Sequence, residues 1–270
     1  MKTILLSTLF LLSISLPAVA QITGTSELCG KIFDDQISFS RNVQTRASSE
    51  FTLVTWNAHK MADTAYLPDL RELSRNADLM LVQEAMHTGT LQESLSSAFD
   101  FSFGFSKSWC SKEKQATGVM NLSRYNLENS LTLVSPDTEP FLNTPKVSEY
   151  SMINVPEMGL IHVINTHALN FNLGGKFERH IDQIAEFISK INGRVIWAGD
   201  FNTWNSARTN YLLSKAKALG LLHIVPADDK RSLKLDHVFV KGLKVTESKI
   251  LNNFSSSDHL PLKVIFEKAN

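Results

Sequence analysis

The chain reads as an α/β domain, and three features of its 270 residues predict that class. From Phe51 onward, short runs rich in β-branched and aromatic residues alternate with amphipathic helical patterns. Several of those runs, such as Leu131 to Val134 and Leu160 to Ile164, lack strict polar alternation, as strands covered on both faces do. No repeat, linker or low-complexity block interrupts residues 51–270, so one domain is expected there.

Taken in order, residues 1–20 have the make-up of a secretory signal peptide. Lys2 supplies the positive end, Ile4 to Leu16 the apolar core, and Ala18-Val19-Ala20 the small-residue cleavage site. The apolar stretch is short for a span of roughly 20 residues, and polar Gln21 follows at once. Cleavage, a periplasmic or secreted mature protein and no stable membrane anchor are the expectation. Residues 21–50 are polar, rich in Ser and Thr, and form a lead-in segment, with a short ordered piece expected at Cys29 to Phe33.

Strands are expected at 51–56, 78–83, 117–122, 130–134, 147–155, 159–166, 194–199, 235–240 and 259–266. Helices are expected near 65–76, 89–98, 176–192 and 205–219. In the third helix Phe177, Ile181, Ile184, Phe187, Ile188 and Ile191 keep one apolar face, opposite Arg179, Asp182, Glu186 and Lys190. Asn192-Gly193 then ends it. Residues 102–116 and 136–146 are expected as surface excursions, although Phe101, Phe103, Phe105 and Trp109 alternate as an edge strand with one buried face would.

Bulk composition narrows the function. Lys and Arg number 27, as do Asp and Glu, and losing Lys2 with the signal leaves a formal charge of −1. A balance that close to neutral excludes coating of nucleic acid by bulk charge, while leaving room for a local basic rim. The two cysteines, Cys29 and Cys110, either form one bridge or remain two thiols, and sequence does not decide between them. Neither sits in a motif that suits thiol catalysis.

Five apolar runs end in polar chemistry. They close at Asn57, at Glu84, at His167, at Asp200 with Asn202, and at Ser257-Asp258-His259. Strand ends often carry polar residues, so each alone says little. Together they suggest one shared pocket of hard oxygen ligands and imidazoles without thiolate, which suits a magnesium-type ion working on a phosphate ester. In Trp197-Ala-Gly-Asp-Phe-Asn202 a carboxylate and an amide fall two residues apart on one side, and Gly199 permits close backbone approach. His259 beside Asp258 can act as a base if a second carboxylate, Asp236, fixes its tautomer. His167 and Asn170 add a proton donor and an amide for the phosphate. His237 and His162 read as packing residues, Arg179 and Gln183 as a solvated helix face, and Lys107, Lys112 and Lys114 as solubilising charge.

Thr55-Trp56-Asn57, Gln83-Glu84, Thr166-His167, Gly199-Asp200-Phe201-Asn202, Leu235-Asp236-His237 and Ser257-Asp258-His259-Leu260-Pro261 occur in the order that resembles the endonuclease/exonuclease/phosphatase superfamily. The resemblance covers residues 51–267 and is closest to an uncharacterised exported bacterial branch. It implies a DNase-like, four-layered sandwich of two mixed β-sheets flanked by helices, with a site at one edge. It implies Glu84, Asn57 and Asp258 as metal ligands, for Mg²⁺ or alternatively Mn²⁺ or Ca²⁺. Asp200, Asn202, His167, Asp236 and His259 take catalytic roles in that reading, and Asn170 and Asn202 contact substrate. The expected function is hydrolysis of a phosphodiester, foremost in nucleic acid, by a monomer. The alternatives are a sphingomyelinase-like or phosphomonoesterase member and, third, an inactive binding domain.

Overall fold

The computed structural model describes Cys29 and residues 36–39, 49–87, 101–111, 115–140, 143–171 and 174–267. The expected signal peptide, most of the lead-in and the helix expected at 89–98 lie outside the described residues.

Two mixed sheets face each other. The first is ordered β1 (Gln36–Phe39), β4 (Ser102–Cys110), β5 (Ala116–Ser123), β3 (Leu79–His87), β2 (Glu50–Asn57), β13 (Leu262–Glu267) and β12 (Val245–Ile250). The second is ordered β10 (Leu222–Ile224), β11 (Asp236–Lys241), β9 (Arg194–Asp200), β8 (Gly159–His167), β7 (Pro145–Val155) and β6 (Glu128–Thr138). Helix α1 (Tyr66–Asn76) packs outside the first sheet; α2 (Lys176–Ser189) and α3 (Ser206–Ala218) pack outside the second.

This layering explains the continuous apolar runs. In β2, Phe51 and Leu53 point between the sheets, where they meet Ile161, Val163, Ile196 and Val238. Val54 and Trp56 point the other way, toward Leu70 and Leu73 of α1. With both faces buried, period-two alternation of polarity has nothing to maintain it. Over the second sheet, Phe177, Ile181, Ile184 and Ile188 of α2 cover Trp197 and Phe239. Each fully buried side chain of this size contributes roughly 1.5–3 kcal/mol.

Three expectations need correction. Residues 102–110 are not a surface excursion but β4, because Phe101, Phe103 and Phe105 bury their rings in the core. Nor is β4 an edge strand: β1 pairs with it antiparallel, Gln36 opposite Ser106. Of the second expected excursion, residues 136–138 finish β6 and 145–146 begin β7, leaving a short connection. Strands β1, β10 and β12 are short or mostly polar and escape a hydrophobic-pattern search. Cys29 and Cys110 are bridged, with Cα atoms 5.8 Å apart, tying the lead-in to the end of β4.

Among the described residues two strand pairs are parallel, β2 with β3 and β8 with β9, and each is joined through a helix that returns the chain to the same end. Their C-terminal ends therefore coincide: Asn57 lies level with Gln83, and His167 with Asp200. The antiparallel neighbours begin where those strands finish, with Asp236 opposite Asp200 and Leu262 opposite Thr55. The topology thus gathers the five polar strand ends at one edge of the sandwich.

Candidate active site

Asp200 is the hub. Its side chain is buried, with one oxygen accepting from Asn57 Nδ2 at 2.9 Å and the other from the Asn202 backbone N–H at 2.8 Å. Gly199 makes this possible: its φ is +139°, and a Cβ there would lie 2.0 Å from the Thr166 carbonyl oxygen of the neighbouring strand. Asn202, also at positive φ, donates through Nδ2 to the Ala168 carbonyl at 2.9 Å. Asn57 is fixed from two further directions, accepting His59 N–H at its Oδ1 and Ser257 Oγ at its backbone carbonyl.

His259 enters from the loop before β13. Its Nδ1 is 3.1 Å from both oxygens of Asp236, and its backbone carbonyl accepts from Trp56 Nε1 at 3.2 Å. Arg231 holds Asp236 in turn, at 2.8 Å through Nη1, and is itself anchored by Asp229. Burial alone would lower the His259 pKa; the carboxylates of Asp236, Asp200 and Asp258 outweigh it and raise it to about 9. Asp200 moves upward too, first from burial and then from the Asp236 charge.

His167 is buried, with Nε2 3.6 Å from Asp200 Oδ2, 3.8 Å from Glu84 Oε1 and 3.3 Å from Lys146 Nζ. Burial, and then the Lys146 charge, hold its pKa well below the usual value. The imidazole is therefore neutral, and its approach to the two carboxylates is no ion pair. Glu84 sits at φ +50° in a bulge of β3, which turns its side chain toward His167 rather than along the ladder. A small cavity of about 20 Å³ there is lined by Glu84, His167, Lys60, Lys146 and Trp109, among others. On the other flank, a cleft of about 320 Å³ is lined by Arg231, Leu233, Asp236, Asp258 and His259, among others.

Among the described residues, eight non-glycine residues have positive φ, and five of them, His59, Lys60, Met61, Glu84 and Asn202, flank this site. Such backbone is sparsely populated and persists where surroundings over-determine it, as at functional sites.

Of the nine residues expected from sequence, Asn57, Glu84, His167, Asp200 and Asn202 form one bonded or closely approaching group. Asp236 and His259 adjoin it: Asp200, Asp236 and His259 each offer a ligand atom, all within 4.8 Å of one another. Asp258 stands apart on the cleft wall, its side chain 66% exposed and 3.4 Å from His59. Asn170 follows on the rim, its N–H bonded to Glu139 Oε1 at 2.7 Å. His237 packs structurally, between Thr203 and His223. Sequence reading missed Lys60, Lys146 and Arg231, which belong to no motif; a lysine heading a buried strand is the one signal that could have marked Lys146.

The carboxylates of Asp200, Asp236 and Glu84, with the Asn57 amide, form a hard oxygen donor set that fits a divalent cation. A fold of two facing mixed sheets, with such a cluster at the strand ends, defines a phosphoesterase-type hydrolase. The chain belongs to the Endonuclease/Exonuclease/phosphatase family, whose profile matches residues 54–259, a family that depends on divalent metal. It is 33% identical over 220 residues to a UPF0294 protein of Yersinia pseudotuberculosis, covering 80% of this chain and 83% of that one. In fold it resembles an endonuclease/exonuclease/phosphatase from Beutenbergia cavernae, with a TM-score of 0.67 and 16% identity over 83% of this chain and 72% of that one. It also resembles the 3′ phosphatase NExo from Neisseria, solved with a product DNA hairpin, with a TM-score of 0.57 and 16% identity over 80% of this chain and 99% of that one.

Proposed function

We propose that the chain is an exported, magnesium-dependent phosphodiesterase that acts on nucleic acid. The observation that carries this reading is the convergence of Asp200, Asp236 and His259 with Asn57, Asn202, His167 and Glu84 at one sandwich edge. The Neisseria neighbour, a 3′ phosphatase on DNA, shows that the fold is compatible with that substrate class.

Glu84 and Asn57, with the carboxylates of Asp200 and Asp236 adjoining, are the residues that would hold the cation, and Asp258 borders them. A divalent ion there supplies Lewis-acid stabilisation of charge on the phosphoryl oxygens. Asp200, its basicity raised by burial, is the carboxylate suited to taking a proton from the attacking water. His259, held cationic by its carboxylates, is suited to contact the phosphoryl oxygens, with Arg231 fixing Asp236 behind it. Asn202 and Asn170 orient the phosphate, while neutral His167 and the ammonium of Lys146 face the leaving oxygen.

The lipid-headgroup alternative needs an exposed apolar loop; of the candidates for one, Phe101, Phe103 and Phe105 are buried and Trp109 is half-buried in β4. Export rests on residues 1–20, and the Cys29–Cys110 bridge suits an oxidising compartment. The test is relaxation of supercoiled DNA with magnesium, with EDTA, and with His259→Ala. Removing His259 should lower turnover roughly 10²- to 10⁴-fold. Near-full activity in the purified variant, or relaxation that EDTA leaves untouched, would refute the assignment.

A further inference from the structure

The loops that follow β8 and β9 run side by side and are laced together. Ala168 N–H donates to the Asp200 carbonyl at 2.8 Å, and Asn202 Nδ2 donates to the Ala168 carbonyl. Arg208 Nη1 reaches the carbonyls of both Leu169 and Asn202, at 3.1 and 2.8 Å. Trp204 Nε1 donates to the Asn170 carbonyl at 3.3 Å. Four residues beyond His167 stands Phe171, and four beyond Asp200 stands Trp204. Four residues of chain span at most about 14 Å, so both rings lie within a few nucleotides' reach of the catalytic floor.

Among the described residues, these are the two exposed aromatic side chains: Phe171 is 62% and Trp204 47% exposed. Chance would scatter them; instead they share one rim. The indole is also rigidly backed. The Arg208 guanidinium lies 4.8 Å from its ring centroid and 4.5 Å from that of buried Phe177, which makes a Phe177–Arg208–Trp204 stack whose outer ring has an open face. Glu139 holds Phe171 from below, accepting the backbone N–H groups of Asn170 and Phe171.

We propose that Trp204, with Phe171 beside it, is a stacking platform for the nucleobase next to the scissile phosphate. The inference rests on the phosphodiesterase reading above and adds how substrate is gripped. A pinned indole with one face covered by a cation and one free suits a flat aromatic ligand. A lipid surface would instead call for unrestrained rings in a broader apolar patch.

The test compares steady-state cleavage of a short thymidine oligonucleotide with that of the same oligomer carrying base-less tetrahydrofuran residues around one phosphate, both with magnesium. Trp204→Ala should raise KM on the base-bearing oligomer roughly 5- to 150-fold, the range of one lost stacking contact. It should leave the base-less oligomer unchanged, and Trp204→Phe should restore most of the loss. An equal penalty on both oligomers overturns the platform, as does equal KM for both with wild-type protein. Trp204-dependent hydrolysis of sphingomyelin vesicles, with no base preference, also overturns it in favour of lipid contact. If His259-dependent cleavage persists without base preference, the platform alone falls. If neither oligomer is cut, the phosphodiesterase reading falls, and the platform with it.

Discussion

His180 offers a sharp test of how burial sets the behaviour of this protein. It sits on α2, fully buried, with Nδ1 accepting the Leu169 N–H at 3.4 Å and Nε2 without a partner among the described residues. Burial first, and then Lys146, against an opposing pull from Asp137, lower its pKa to about 3. The folded value lies below the unfolded value near 6.5, so the proton is taken up only on unfolding. Its contribution is complete above about pH 6.5 and is lost as pH falls toward 3. Linkage puts the loss at about 2 kcal/mol between pH 7 and pH 5. Buried His237, also near 3, should add a similar amount, and His167, likewise held well below its usual value, adds to the same loss. His180→Asn keeps an acceptor for Leu169 but does not titrate. Urea unfolding at pH 7 and pH 5 should show its pH-dependent loss to be smaller than that of wild type by about 2 kcal/mol. An undiminished loss in the variant would show that His180 is not the neutral, buried group described. The consequence reaches the site, because Leu169 lies between His167 and Asn170, and protonation of His180 breaks the bond that holds that loop.

Three further outcomes are expected. Gly199→Ala drives a Cβ to within 2.0 Å of backbone at φ +139°, so it should cost well over 1 kcal/mol and abolish activity, read by thermal melting and plasmid relaxation; a soluble, active variant would contradict the close approach. Cys110→Ser opens a link across 81 residues and should lower stability by roughly 2–5 kcal/mol in denaturant titration, a loss matched by reducing the wild type. Glu149, fully buried, has its pKa raised well above normal by burial, and the Asn121 backbone N–H nearby falls short of hydrogen-bond geometry. Its contribution is therefore present below pH 4.5 and lost as pH rises through the folded value. Glu149→Gln should exceed wild type in stability at pH 8 by roughly 1–3 kcal/mol, with the gap closing near pH 4; a constant gap would count against it.

The parts of the fold legible in the sequence were those governed by local pattern. The apolar face of α2, from Phe177 to Ile188, and the strand runs ending at Asn57, Glu84, His167 and Asp200 needed no long-range information. What stayed hidden depends on partners. β12 reads as polar because it lies at the edge of its sheet beside β13, and the Phe101, Phe103 and Phe105 rings are covered by a cluster that includes Leu70, Met80 and Met120. The same division holds at the site. Asp200 and His259 stand in recognisable segments, whereas Lys146 acquires meaning only when β7 brings it 3.3 Å from His167. The left-handed turn at His59–Met61 has no sequence signature, since none of its residues is glycine. The signal peptide and the helix expected at 89–98 lie outside the described residues.

A site assembled half from each sheet imposes a requirement that an apolar interface alone would not meet. Glu84 and Asn57 belong to the first sheet, His167, Asp200 and Asp236 to the second, and packed apolar faces resist lateral slippage only weakly. Directly beneath the site the interface turns polar. Gln83 Nε2 donates to Asn165 Oδ1 at 2.7 Å, and Asn165 Nδ2 donates to the carbonyls of Val82 and Met120 across the gap. Gln83 also reaches Thr55 on the adjacent strand. These residues immediately precede Glu84 and Thr166-His167 in the chain, so fixing their hydrogen bonds fixes the catalytic groups one or two residues on. Burying amides here costs desolvation, and Gln83 Oε1 has no partner among the described residues, so the arrangement is not the most stable core available. Directional bonds instead specify one register between the sheets, which a site needing sub-ångström placement of groups from both sides requires.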